Sequence, residues 1–359
     1  MSPGTPGSQP SSNSKPPPPK AGEDVITVRG LVKRYGDLVA VRGIDLDVGR
    51  GEIFGFLGPN GAGKTTTISV LCTLAEASAG SAIVAGLDVA TDADEVRARI
   101  GLVFQDPSLD DQLTAHENLM FHARVYGVPR TARRQRIDSC LETVGLADRA
   151  DAPVKTFSGG MKRRLEVARG ILHAPKILFL DEPTLGLDPQ TRARVWDHLR
   201  EVRARTRTTI FMTTHYMEEA EWCDRIAIID HGRIVALGTP EELKAQVGGD
   251  VVVLGTDDNP RATAELMERL GIQAVQDHGT LRIEVPDGAE FVPQLVRSLS
   301  VAVKTATVRR PSLDDVFLKL TGRAIRDESA DRRAQLHTLA QRRGGRPGGH
   351  PRGRPGGRR

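Results

Sequence analysis

The 359 residues, 39% hydrophobic and 27% charged, suit a soluble globular protein of two domains with a sizeable core. No stretch approaches the roughly 18 consecutive apolar residues that span a bilayer. The net charge of +4 is unevenly placed: ten Arg against three acidic residues give 326–359 about +7 and leave the rest near −3, so the body of the chain offers nucleic acid no basic face.

The chain opens on "MSPGTPGSQPSSNSKPPPPK", rich in proline and serine and without the apolar core of a signal peptide, so 1–24 reads as a disordered leader that is not an export signal. From 25 to about 107, the apolar runs "VITVRG", "IDLDV", "EIFGFLG", "SAIVAG" and "IGLVFQ" alternate with turns, with one strong helix after Lys64. That is the pattern of a sheet-rich nucleotide core. Inside it, "GPNGAGKTTT" places Gly58, Gly63, Lys64 and Thr65 as G-x-x-x-x-G-K-[ST] between an apolar strand and a helix. Glycines let loop N–H groups wrap phosphates, Lys64 reaches the terminal ones, and the Thr65 hydroxyl can ligate Mg²⁺.

Apolar residues three and four apart in "LTAHENLMFHARVYGV" and "TARRQRIDSCLETVGLA" predict an inserted helical subdomain over about 108–170. It ends in "KTFSGGMKRRLEVARG", where Ser158 suits an N-cap, two glycines let a ligand approach the backbone, and a strongly basic helix follows. This turn fits either an anion site or an ordinary capped surface helix. Next come the buried strands "KILFLDEP", "TTIFMTTH" and "RIAIID" of an α/β sheet. The first ends on Asp181, placed for Mg²⁺, and Glu182, placed to polarise a water. Adjacent carboxylates raise one another's pKa, a cost that catalysis explains better than binding alone.

Beyond Gly238-Thr239-Pro240, a short helix and then strands ("DVVVLG", "LRIEV") and helices ("PRATAELMERLGI", "FVPQLVRSLS") read as a small α+β accessory domain, 241–325. The last segment, 326–359, ends "GGRPGGHPRGRPGGRR" and suits simple solvation, single-stranded RNA or anionic lipid. Cys72, Cys140 and Cys223 are far apart, with no C-x-x-C and no zinc-spaced His, which favours a reducing cytoplasm over a disulfide or metal framework.

Together, the phosphate loop, the Asp-Glu strand end and the Ser-Gly-Gly turn resemble the ATP-binding subunits of ABC transporters over about 25–240. The resemblance implies ATP and Mg²⁺ as cofactors and an α/β P-loop ABC-type nucleotide-binding domain with an inserted helical subdomain, followed by a small α+β accessory domain. It assigns the Walker A loop to Gly58, Pro59, Asn60, Gly61, Ala62, Gly63, Lys64, Thr65 and Thr66, and the Q-loop to Gln105, a further Mg²⁺ contact beside Thr65 and Asp181. The signature becomes Phe157 to Met161, with Ser158, Gly159 and Gly160 facing phosphate; Walker B is Asp181 with Glu182, "LGLD" (185–188) the D-loop, and His215 the switch histidine. Tyr35 falls where the family stacks an aromatic ring on adenine. Phe157 and Met161 depart from the usual Leu-Ser-Gly-Gly-Gln, leaving the phosphate-facing groups intact.

"SGGMKRRLEVARGILHAPKILFLDEPTLGLDP" looks most like the daunorubicin-resistance subfamily of drug-export ATPases, and "RRPSLDDVFLKLTG" (309–322) resembles that subfamily's C-terminal end. Such a subunit pairs with a second copy of itself and a separate multispanning permease at the cytoplasmic face of the membrane. Against it stand a soluble ABC ATPase acting on DNA or ribosomes, which usually carries two nucleotide cores or a long coiled coil, and a regulatory or RNA-binding module using the tail. This chain has one motif set, with about 94 residues from Lys64 to Ser158.

Overall fold

In a computed structural model, which describes residues 24–105, 108–277 and 279–322, the apolar runs of the sequence become strands. The tail 326–359 and most of the leader lie outside the described residues, and Asp24, counted with the leader, already begins a strand. In chain order come β1 (Asp24–Tyr35), β2 (Leu38–Gly49), β3 (Ile53–Leu57), α1 (Lys64–Leu71), β4 (Ala79–Val84), β5 (Leu87–Asp88), α2 (Ala93–Arg99) and β6 (Ile100–Val103). There follow α3 (Ala115–Val125), α4 (Arg130–Thr143), α5 (Gly159–Ile171), β7 (Ile177–Leu180), α6 (Pro189–Thr206), β8 (Thr209–Thr214), α7 (Met217–Ala220), β9 (Arg225–Asp230) and β10 (Arg233–Gly238).

β3, β7 and β8 are buried at every position, because strands covered on both faces of a parallel sheet have no solvent side to make polar. They lie centrally in a six-stranded sheet of order β10-β9-β3-β8-β7-β6, parallel except for the β9–β10 pair. A second, antiparallel sheet runs β2-β1-β4-β5, and one core joins the two through Ile26, Val28, Leu46, Phe54, Phe56, Ile68 and Val96. Phe211 lies at its centre, with the rings of Phe54, Phe56 and Phe179 5.5–5.6 Å away. Truncating a ring so placed costs about 3–5 kcal/mol, and here it would loosen three strands that the candidate residues follow.

Two features depart from the sequence reading. A second helix, α2, stands between Lys64 and 107, where one was expected; only Val96 of it is buried, so it leaves no apolar periodicity to read. The basic face of α5 is not a surface face either, since Arg163 and Arg169 are each 6% exposed. α5 approaches β6 closely because both are glycine at the contact: a Cβ on Gly101 would collide with the Gly170 carbonyl.

The second compact unit begins at Glu241. After α8 (Pro240–Ala245) it contains β11 (Asp250–Thr256), α9 (Asn259–Leu270), β12 (Val275–Asp277), β13 (Thr280–Val285), α10 (Gly288–Ser298), β14 (Val303–Arg309) and α11 (Leu313–Thr321). Its antiparallel sheet, β12-β13-β11-β14, packs Val252, Leu254, Leu281 and Ile283 against Ala262, Leu266 and Leu295 of α9 and α10. Strand β13 alternates buried and exposed residues, as a sheet with one covered face requires.

Candidate functional site

The C-terminal ends of parallel strands are where an open α/β sheet presents its ligands, and β3, β7 and β8 are followed at once by Gly58, Asp181 and His215. From β3 the chain turns through Gly58 to Gly63 into α1, whose first residue is Lys64. Gly61 and Gly63 have φ of 83° and 108°, and a Cβ on Gly63 would stand 2.7 Å from Ala40 O, so only glycine fits. The loop is supported from outside by Gly232, whose N–H donates to Ala62 O at 2.9 Å. Asn60 and Gly61 are exposed in the loop, and in the first turn of α1 Thr65 is exposed and Thr66 half-buried.

Lys64 is 4% exposed, and its Nζ lies 3.2 Å from Glu182 Oε1, while His215 Nδ1 lies 3.3 Å from the other oxygen of the same carboxylate. The histidine contact is close without being a well-aligned hydrogen bond. Burial would raise the Glu182 pKa, but His215 and Lys64 outweigh it and hold the carboxyl below its usual range. Lys64 shows the reverse balance: burial lowers its pKa despite the opposing pull of Glu182 and Asp181. Lys64 and His215 thus approach the Glu182 carboxylate from its two oxygens.

Asp181 is 4% exposed and accepts from Thr213 Oγ1 at 2.6 Å; the same oxygen accepts from the Glu182 backbone N–H at 2.9 Å. Sequence reading missed Thr213. Glu182 itself has φ of 45°, a left-handed conformation that non-glycine residues rarely adopt. A buried carboxylate near Lys64 and a hydroxyl opening α1 are hard oxygen donors of the kind Mg²⁺ takes alongside phosphate and water. The residues present therefore fit that ion without a dedicated cage of side chains.

Ser158 caps α5, its Oγ accepting from Met161 N at 3.3 Å. The two glycines after it differ in role: Gly159 is open but for Leu187, whereas a Cβ on Gly160 would collide with the Thr191 methyl, so packing against α6 fixes that glycine. Asp188 caps α6 through Gln190 N and Thr191 N. Gln105 is exposed two residues beyond β6, and Tyr35, 49% exposed at the end of β1, has Lys33 Nζ 4.8 Å from its ring centre. Glu219 was also missed: buried, it accepts from Thr184 Oγ1 and, at 2.7 Å, from Thr214 Oγ1, tying the turn after β7 to the end of β8.

With this geometry in place, comparison with known proteins is specific. The ABC transporter family profile matches 41–185, and that of the ATP-binding protein DrrA1-3-like C-terminal domain matches 238–321. The chain is 44% identical over 306 residues to the daunorubicin resistance ATP-binding protein DrrA3 of Streptomyces coeruleorubidus, covering 84% of this chain and 96% of that one. It is 42% identical over 320 residues to the Nod factor export ATP-binding protein I of Ralstonia nicotianae, covering 87% and 99%. Among solved structures, a dimeric ATP-binding cassette in a post-hydrolysis state with ADP and Pi superposes with a TM-score of 0.54 at 26% identity, covering 60% of this chain and 98% of that one.

Proposed function

The chain belongs to the ATP-binding subunits of ABC transporters, in the group of the daunorubicin-resistance ATP-binding proteins, and from that membership we propose that it powers export of a drug-like or lipid-like molecule. It is an ATPase that works with ATP and Mg²⁺, as a dimer, alongside a separate transmembrane partner. Among the described residues no helix is long and apolar enough to cross a membrane. We place the subunit on the cytoplasmic face of the membrane, with 25–240 as the ATP-binding domain and 241–325 as the accessory domain. The 326–359 segment, outside the described residues, has the charge to touch anionic lipid. The names of relatives, one for drug resistance and one for Nod factor export, support the substrate class; specificity then resides in the membrane partner.

The observation that carries the catalytic reading is the convergence of Lys64, Glu182 and His215 within 3.3 Å contacts, beside Asp181. In this reading the Gly58–Thr66 loop and Lys64 bind the β and γ phosphates, and Tyr35 stacks on adenine. Thr65, Asp181 and Gln105 would hold Mg²⁺, which would supply positive charge to the phosphates. Glu182 orients and deprotonates the attacking water, and His215 contacts the γ-phosphate. Across the dimer, Ser158, Gly159 and Gly160 of the second copy close over that phosphate, so two ATP molecules lie between two chains.

Glu182→Gln should keep ATP affinity while turnover falls about a hundredfold or more, since the amide still holds water but takes no proton. Lys64→Ala should lose most affinity as well as turnover, having lost the cation at the phosphates. Wild-type turnover by Glu182→Gln would remove Glu182 from the mechanism.

A further inference from the structure

The arginines of α5 that turn inward end on the backbone of the catalytic segments. Arg163 Nε donates to Pro183 O at 2.6 Å and one terminal nitrogen to Asp181 O at 3.1 Å; the other donates to Phe104 O and, at 3.0 Å, to Glu166 Oε2. Its three carbonyl partners therefore flank Glu182 on both sides and immediately precede Gln105. Fully buried Glu166 reaches beyond Gln105, its Oε1 accepting from the Ser108 backbone N–H at 2.7 Å, and Arg169 donates to Ser108 O at 3.4 Å. The helix that begins at Ser158 thus grips the chain on both sides of Gln105 as well as both sides of Glu182.

Stability is a poor explanation for this arrangement. Burying a guanidinium and a carboxylate costs several kcal/mol per ion, and well-packed apolar residues commonly do as well or better in their place. What the pair supplies is direction: the planar fork of arginine reaches three carbonyls from one side chain, which the ammonium of lysine does not. The close glycine contact between α5 and β6 holds the same helix against the strand that leads into Gln105.

We propose that Arg163, held by Glu166, is a positioning residue for ATP hydrolysis that locks the signature helix, the Gln105 segment and the Asp181–Pro183 turn into one body. The proposal rests on the reading of Glu182 as base and Gln105 as metal contact. Seating the start of α5 on phosphate then sets the base and the glutamine without a separate adjustment.

The test uses the full chain and two variants. Arg163→Met with Glu166→Leu removes the closer of the buried ion pairs of α5 and leaves Arg169 its bonds to Ser108; Arg163→Lys keeps a charge and loses the fork. Melting temperature, ATP affinity and kcat at saturating ATP and Mg²⁺ are measured for each, with Glu182→Gln alongside. The double variant should fold with a lowered melting temperature, from the carbonyls left unpaired, and bind ATP within about threefold, while kcat falls about a hundredfold, the penalty for a reacting group misplaced by about 1 Å. Arg163→Lys should fall between it and wild type. Wild-type kcat in the double variant overturns the proposal, as does a parallel loss of melting temperature, affinity and kcat in both variants, the mark of a purely structural part. If Glu182→Gln hydrolyses ATP, the reading of the base has failed; if it is inactive while the double variant is fully active, only the positioning role has failed.

Discussion

A single hydroxyl joins the two carboxylate residues of the site. Thr213 donates to Asp181 and accepts from the Glu182 N–H, and so helps hold Glu182 in its left-handed conformation, which costs on the order of 1 kcal/mol or more. Thr213→Val keeps the β-branched shape of a strand residue and removes both bonds, leaving a buried acceptor and donor unpaired at about 1–3 kcal/mol. The variant should melt lower and, if Asp181 holds Mg²⁺ as proposed, lose about tenfold in turnover, with ATP affinity little changed. Wild-type turnover would show that Asp181 and Glu182 are held by other means. Lys64, Asp181, Glu182 and His215 are legible in the sequence because each follows a local signal, a glycine loop or the end of an apolar run. Thr213 has none: it matters only because β7 pairs with β8 in the register Leu180 to Met212, which sets Thr213 beside Asp181.

Among the elements, α5 shows what composition conceals. "MKRRLEVARG" reads as a basic helix, yet helical spacing puts Arg163, Glu166 and Arg169 on one face, and that face packs inward as ion pairs. The strand order of the large sheet was no more legible, since the runs that name its strands do not say which lies beside which. In the accessory unit, α9 is anchored by Glu265, which accepts from the hydroxyl of Ser300 and, at 2.6 Å, from its backbone N–H. Those hydrogen bonds, aided by Arg261, push the Glu265 carboxyl down to about 2. Because the folded value lies below the ordinary carboxylate value of about 4.3, the stabilisation is fully present above about pH 4 and is lost as pH falls through about 2. Glu265→Gln should lower the melting temperature of the accessory unit at neutral pH and flatten its decline between about pH 4 and 2. Identical pH profiles for both proteins would separate Glu265 from that stability.

At the scale of the molecule, one chain carries two phosphate-suited turns, one before Lys64 and one at Ser158, each opening a helix whose dipole favours negative charge. The first leads into Lys64, which contacts Glu182, itself in contact with His215, whereas the second caps its own helix and packs against α6. A site completed only between two copies gives both turns one ligand. Its most direct test is the mass of the Glu182→Gln protein by light scattering, with and without ATP, in the presence and absence of Ser158→Arg. Glu182→Gln alone should double in mass on adding ATP, because bound nucleotide that is not hydrolysed keeps the two copies together. Glu182→Gln with Ser158→Arg should bind ATP with similar affinity and remain monomeric, a bulky side chain having replaced the small capping hydroxyl. Doubling of the Ser158→Arg protein to the same extent would mean that the turn is a helix cap and that the site lies within one chain.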